Sequence, residues 1–263
     1  ESIDCAFFDL DIPEVIDALE RKQARVIVDA DNHHLVDGRI TNLKKDTRSA
    51  FMHNKFCVFD SSIVWTGSMN PTLNGGQRNN NNVIIIRSEY LAENYRSEFM
   101  ELWNGEFGSG EETVNQRIVL NDNPVENYFC PEDWCANKVI KSLSKANKSI
   151  YFMAFSFTHD QIGDILIEKH NRGIEVKGIF ESRQNRKYSE MDKLNSSGIK
   201  VVTDRNPAAM HHKVFIIDNS TVITGSFNPT KSGDTRNDEN MIIVHDSGVA
   251  KPYITEFANL WAG

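Results

Sequence analysis

Residues 52–60 read MHNKFCVFD, and residues 210–218 read MHHKVFIID. Each stretch gives His-x-Lys and then Asp five residues after the lysine. A second phrase follows, TGSMNPT over residues 66–72 or TGSFNPT over residues 224–230. The register between the copies holds without a gap from Met52/Met210 to Trp103/Trp261, and 24 of those 52 aligned positions are identical. A repeat of this length means two copies of one supersecondary unit. Because the repeated residues include the reactive ones, two half-sites are expected to face each other across a pseudo-two-fold axis, making the chain an internal pseudo-dimer.

Strand and helix patterns alternate on both sides of the motifs. The first half reads strand 3–10, helix 13–21, strand 25–30, motif strand 55–59, strands 63–66 and 83–86, and helix 90–103. The second reads helix 131–147, strand 150–157, helix 161–171, strand 174–180, helix 188–195, strand 199–203, motif strand 214–217, strands 221–224 and 241–244, and helix 249–261. This order predicts an α/β fold of two pseudo-two-fold-related halves, each a largely parallel mixed sheet flanked by helices, with the active site at their interface. The glycine-rich stretch GEFGSGEE (residues 105–112) marks a boundary, giving an N-terminal half over 1–110 and a C-terminal half over 111–263. The first half lacks a counterpart of helix 131–147, so a segment upstream of Glu1 is expected, with an export signal or membrane tether as what it would carry. The compartment itself stays open.

Residues two apart on an extended strand share a face. His53 and Lys55 therefore project together, as do His211 and Lys213, while Phe56, Val58, Val214 and Ile216 can fill the core behind them. Gly67 and Gly225 allow close backbone approach, and Ser68, Ser226, Asn70 and Asn228 bring short hydrogen-bonding groups to the following loop. Two imidazoles, two ammoniums and two amides brought face to face would surround a tetrahedral anion. That set suits phosphoryl transfer, in which positioning and electrostatics carry most of the catalysis. One imidazole can attack phosphorus while the opposite one protonates the leaving oxygen and then deprotonates water.

Both phrases match HxKxxxxD followed by GSxN, and on those residues the chain resembles the phospholipase D superfamily over nearly its whole length, in particular its small nuclease-type members. The resemblance implies His53 and His211 as nucleophile and general acid, Lys55 and Lys213 with Asn70, Asn228, Ser68 and Ser226 around the phosphate, and Asp60 and Asp218 as structural supports. It also implies chemistry that needs no metal or other cofactor. Many members carry a carboxylate about 28 residues after the histidine; Glu239 matches in the second half, and Asn81 stands at the equivalent first-half position. Such contacts can cross between halves, which would place Glu239 on His53 and make His53 the nucleophile, with His211 as acid and base.

The bulk numbers exclude some classes. Of 263 residues, 40% are hydrophobic and 25% charged, as in ordinary globular proteins. A net charge of −8 argues against a uniformly basic, nucleic-acid-coating surface. Cys5 and Cys57 fall in apolar runs and are expected to be plain core residues, whereas Cys130 and Cys135 could form a disulfide or stay free. His33 and His34 read as a solvated loop pair, and His212 has the wrong parity to join the site. The aromatic series Tyr95/Phe99/Trp103 and Tyr253/Phe257/Trp261 read as core-facing helix stripes. Arg78, Arg236, the group Arg183, Arg186 and Lys187, and the group Lys44, Lys45 and Arg48 are weighed equally as solvated surface or phosphate-backbone contacts.

No Leu/Phe/Trp-rich loop or membrane-surface helix accompanies the motifs, and no base-reading element is evident. The expected function is a metal-independent endonuclease with low sequence specificity, acting on single-stranded DNA or RNA through a phosphohistidine. A phospholipase D-type lipid phosphodiesterase is the alternative, and a catalytically inactive nucleic-acid-binding module the third. The choice between DNA and RNA and the oligomeric state are left open.

Overall fold

The computed structural model describes residues 2–184 and 188–262, so Arg186 and Lys187 lie outside the described residues. The first half contains, in chain order, β1 (Ile3–Phe7), α1 (Pro13–Arg21), β2 (Arg25–Val28), β3 (Leu43–Lys45), β4 (Lys55–Phe59), β5 (Ile63–Gly67), α2 (Leu73–Gln77), β6 (Val83–Arg87) and α3 (Glu89–Asn104). Its sheet has the spatial order β3-β2-β1-β4-β5-β6. A hairpin, β7 (Arg117–Leu120) and β8 (Asn123–Cys130), then leads into the second half.

That half repeats the plan with α4 (Cys135–Leu143), β9 (Ser149–Ala154), α5 (Asp160–Asn171), β10 (Glu175–Phe180), α6 (Met191–Ser196), β11 (Lys200–Thr203), β12 (Lys213–Ile217), β13 (Thr221–Gly225), α7 (Lys231–Thr235), β14 (Glu239–His245) and α8 (Ser247–Ala262). Its sheet runs β11-β10-β9-β12-β13-β14-β8-β7, so the hairpin extends the second sheet beyond β14.

Each sheet is mixed, and its parallel part is smaller than the sequence suggested. Among the described strands only β1–β3 and β9–β11 pair in parallel, while both motif strands pair antiparallel on each side. The cause is local. Asp60-Ser61 and Asp218-Asn219 all adopt positive φ, between 49° and 56°, inside three-residue loops that pair Phe59 with Ile63 and Ile217 with Thr221, a tight hairpin rather than a crossover. Asp60 and Asp218 also hold the neighbouring strand: Asp60 Oδ1 accepts the Ser2 amide, and Asp218 accepts the amides of Asn147, Lys148 and Ser149.

The cysteine expectation needs one correction. Cys5 and Cys57 stand directly opposite each other on β1 and β4 and are joined by a disulfide; Cys130 and Cys135 form a second. Two cysteines with small Cα separation on paired strands are within bridging reach, a relationship invisible until the strand register is known.

The halves share a core. Phe56, Val58 and Val64 of the first sheet pack with Leu91, Tyr95 and Phe99 of α3, with Val125 and Phe129 of β8, and with Ile242 and Val244 of β14. Phe56, Tyr95 and Phe129 meet edge to face or tilted. In the second half Val214, Ile216 and Val222 pack under Tyr253 and Phe257 of α8, so both aromatic stripes face inward as read. At full burial a side chain of this size contributes about 1.5–3 kcal/mol, enough for the shared cluster to fix how the sheets meet. Among the described residues no helix is long and apolar enough to cross a membrane.

Candidate active site

Two short backbone bridges bring the motifs together. Met52 pairs with Asp238 and Asn80 with Met210, so each approach to a motif strand is tied to the other half. The His53 amide donates to Asp238 O and the His211 amide to Asn80 O. Each histidine sits just before its strand, and Lys55 and Lys213 open β4 and β12. The lysines curl back over the same turn, Lys55 Nζ donating to His53 O at 2.8 Å and Lys213 Nζ to His211 O at 3.0 Å. Both ammoniums are thereby fixed with donors to spare.

Both imidazoles are held through Nδ1 by the opposite half. His53 Nδ1 lies 2.7 Å from Glu239 Oε2, and His211 Nδ1 lies 3.0 Å from the backbone oxygen of Ser68. Fixing Nδ1 orients the ring and leaves Nε2 for the substrate. The contact from Glu239 crosses between halves as expected. Asn81 does not play the matching part, because its amide donates to Gly75 O instead; a main-chain carbonyl replaces it on His211.

The serines depart from the expected direct contact with phosphate. Ser226 Oγ donates to Glu239 Oε2 at 2.6 Å, and Ser68 Oγ accepts from the backbone and side-chain nitrogens of Asn82. Both are fully buried, so they wire the loop and the carboxylate. Gly67 and Gly225 precede them at φ 142° and 140°, and a Cβ there would strike the backbone of Asn82 or Asn240. Asn70 and Asn228 each bury an Oδ1 with no partner among the described residues, as befits polar groups whose partner is a ligand.

Several contributors were not singled out from sequence. Asn240 accepts the Lys55 amide and donates to Thr66 Oγ1, while Asn82 accepts from Thr224 Oγ1 and contacts His212 Nδ1. These asparagines stitch the motif strands across the interface, and their signal was their identity in the repeat. Phe8 and Phe155, at the ends of β1 and β9, meet His53 and His211 edge-on at 4.9 and 4.6 Å. Lys55 and Lys213 lie 5.1 and 4.6 Å from the same two rings. His212 is buried against Asn82 and Glu256, away from the reactive pair.

The basic groups divide. Arg48 pairs with Asp238 and donates to Arg236 O, and Lys44 donates to Trp103 O over the Trp103 ring. Both serve packing between segments. Arg78 and Arg236 are exposed, and Arg183 is held by Glu181.

Burial and like charge dominate the electrostatics. Burial, then the charges of Lys55 and Lys213, hold His53 well below the usual imidazole range; burial and the same lysines lower His211 too. Burial brings Lys55 down to about 7, and burial plus Lys55 push Lys213 well below the ordinary lysine range. Glu239 rises to about 8 by burial, against the pull of Lys55 and the Ser226 hydroxyl. Burial and like charge thus disfavour positive charge on these groups, and an anion placed between the lysines would favour it again.

Known proteins match this arrangement. The family model described as "Cardiolipin synthase, PLD-like domain" matches residues 11–103 and 139–261, covering both motifs. A protein named phospholipase D from Rickettsia conorii is 36% identical over 141 residues, which is 53% of this chain and 70% of the relative. A protein from Xenopus tropicalis named mitochondrial cardiolipin hydrolase is 30% identical over 142 residues, 52% of this chain and 68% of that protein. The crystal structure of Nuc, a phospholipase D family member from Salmonella typhimurium, superposes with TM-score 0.50 at 33% identity, covering 52% of this chain and 93% of Nuc. Phosphatidylserine synthase from Haemophilus influenzae shares the fold over 98% of this chain and 81% of its own, with TM-score 0.71 and 13% identity. Two motif copies, one interface and a family match over most of the sequence make this chain a member of the phospholipase D-like family of phosphodiesterases.

Proposed function

We propose that the chain is an endonuclease that cuts single-stranded DNA or RNA with little sequence preference, without a metal, through a phosphohistidine. The observation that carries the mechanism is the unequal support of the two imidazoles, a carboxylate on His53 and a neutral carbonyl on His211. A carboxylate stabilises a ring that turns cationic on bonding phosphorus, so His53 Nε2 is the nucleophile. The negative charge of the bound phosphodiester favours His211 as the imidazolium, Nδ1–H on Ser68 O, and its Nε2 gives the second proton to the leaving oxygen as the P–O bond breaks. It then takes a proton from water, whose oxygen displaces His53 and releases the phosphomonoester. Lys55, Lys213, Asn70 and Asn228 neutralise and hold the non-bridging oxygens.

A feature of the rim supports a polynucleotide. Phe51 is 42% exposed and its ring meets Phe8, which itself abuts His53. An exposed aromatic beside the reactive group is a platform on which an unpaired base can stack. The lipid reading is favoured by the names of the relatives, phospholipase D and mitochondrial cardiolipin hydrolase. Both readings use the same phosphodiester chemistry. The test is incubation in EDTA with labelled single-stranded DNA, RNA, duplex DNA, phosphatidylcholine and cardiolipin, beside His53→Ala. Cleaved single strands with intact lipids are expected. Hydrolysed lipid with uncut nucleic acid would transfer the assignment to the lipid class.

A further inference from the structure

An apolar groove opens on the first half, away from the histidines, lined by Ile3, Val15, Ala18, Phe59, Trp65 and Met69 among others. The repeat reveals what such a groove is for. Ile3 faces Phe59 across the sheet as Ile150 faces Ile217, and Pro13 opens α1 as Asp160 opens α5. In that register Val15, Ala18, Trp65 and Met69 correspond to Ile162, Ile165, Ile223 and Phe227. The second-half residues are all buried, within a cluster that includes Ala136, Val139 and Leu143 of α4. Their first-half counterparts are only half-buried. One helix accounts for the difference.

The polar edges of the groove carry the same register. Lys169 donates to Ala146 O, just past the carboxyl end of α4, a cation where a helix is electronegative. Lys22 occupies the equivalent position and lines the groove. Asp218 accepts the amides of residues 147–149, and Asp60 accepts the Ser2 amide at the matching place. We propose that this groove is the docking site of one amphipathic α-helix, lying on α1 and β5 as α4 lies on α5 and β13. Its apolar stripe would match Ala136, Val139 and Leu143, and its carboxyl end would lie against Lys22.

The chain supplies its own probe. A copy of residues 131–148, with Cys135→Ser, joined directly ahead of Ser2 places a helix of this pattern in register. The extended chain should melt higher by roughly 4 °C or more, the scale of 1–2 kcal/mol in a protein of this size. Trp65 emission should shift to the blue as the groove closes. Ala18→Glu, on the half-exposed face of α1, should cancel both gains while leaving the unextended chain unchanged. If Ala18→Glu itself disturbs folding, Lys22→Glu serves instead and should remove part of the gain. The proposal fails if extended and unextended chains melt together, or if Ala18→Glu and Lys22→Glu both keep the full gain. It fails equally if sedimentation shows that a second copy closes the groove of the unextended chain. Saturable binding of a single-chain detergent that shifts Trp65, with no gain from the added helix, would mark an acyl site and also overturn it.

Discussion

Glu239 Oε2 lies 2.7 Å from the Nδ1 of His53, a residue 186 positions earlier in the chain and in the opposite half. The same oxygen accepts from Ser226, so its position is set by the second GSxN loop while its effect falls on the first motif. Glu239→Gln keeps the shape and removes the group able to ionise as His53 turns cationic. Single-turnover rates should fall by about 10²–10⁴-fold, the range for an assisting group in proton transfer and charge support. His53→Ala should form no covalent adduct with a radiolabelled phosphodiester. His211→Ala should accumulate one when the leaving group is a nitrophenolate that needs no proton. An adduct on the His53→Ala protein would reverse the two roles.

Proton uptake should accompany anion binding. Burial holds Lys55 near 7 and, with the neighbouring charge, keeps Lys213 well below its usual range. An anion between them raises both, so protons enter as it binds. The sign is therefore fixed. At pH 8 phosphate or tungstate binding should take up protons, and affinity should rise as pH falls through the Lys55 range. Calorimetry in buffers of different ionisation enthalpy gives the number directly. Proton release at pH 8 would contradict the electrostatic picture.

The disulfides differ in what they constrain. Cys5–Cys57 closes a loop of 52 residues and Cys130–Cys135 one of 5. Loop-closure entropy assigns about 4 kcal/mol to the first and about 2 kcal/mol to the second. Cys57→Ala should thus lower the melting temperature by roughly 8–16 °C, and Cys135→Ala by about half as much. Equal losses would mean that native packing, and not chain entropy, sets their effect.

Much of the site was legible in the repeat because its residues are local in sequence. His-x-Lys, the hairpin Asp and GSxN each act within a few residues of one another, and their spacing survives folding unchanged. Glu239 was placed on the correct imidazole through the resemblance, since no local pattern points from residue 239 to residue 53. What stayed hidden depends on register between strands distant in sequence. Cys5 meets Cys57 only once β1 and β4 are aligned. Ser68 reaches His211 by its main chain, which no side-chain motif can announce. The serine hydroxyls looked like ligand groups because their chemistry allows it; burial on the loop's inner side decided otherwise.

An acidic cluster beneath the first motif contributes stability that falls with rising pH. Asn54, next to His53, donates to Glu98 Oε1 at 2.9 Å. Carboxylate oxygens of Glu98, Glu101 and Glu132 all gather within 4.8 Å of one another. Burial, reinforced by the neighbouring acids, lifts Glu98 well above the usual range; burial brings Glu132 and Asp238 up to about 7. These carboxyls bind protons more tightly folded than unfolded. Their contribution is full below about 4, the unfolded carboxyl range, and is lost as pH climbs to about 7. The cluster's own contribution to the melting temperature should accordingly decline between pH 5 and pH 8. The buried histidines and lysines of the site oppose it, so the comparison is between variants. Glu98→Gln retains an acceptor for Asn54 and removes one proton-dependent charge, so it should raise the melting temperature at pH 8 and leave it nearly unchanged at pH 4. Parallel profiles for the two proteins across that interval would show that the cluster does not share its protons as the geometry requires.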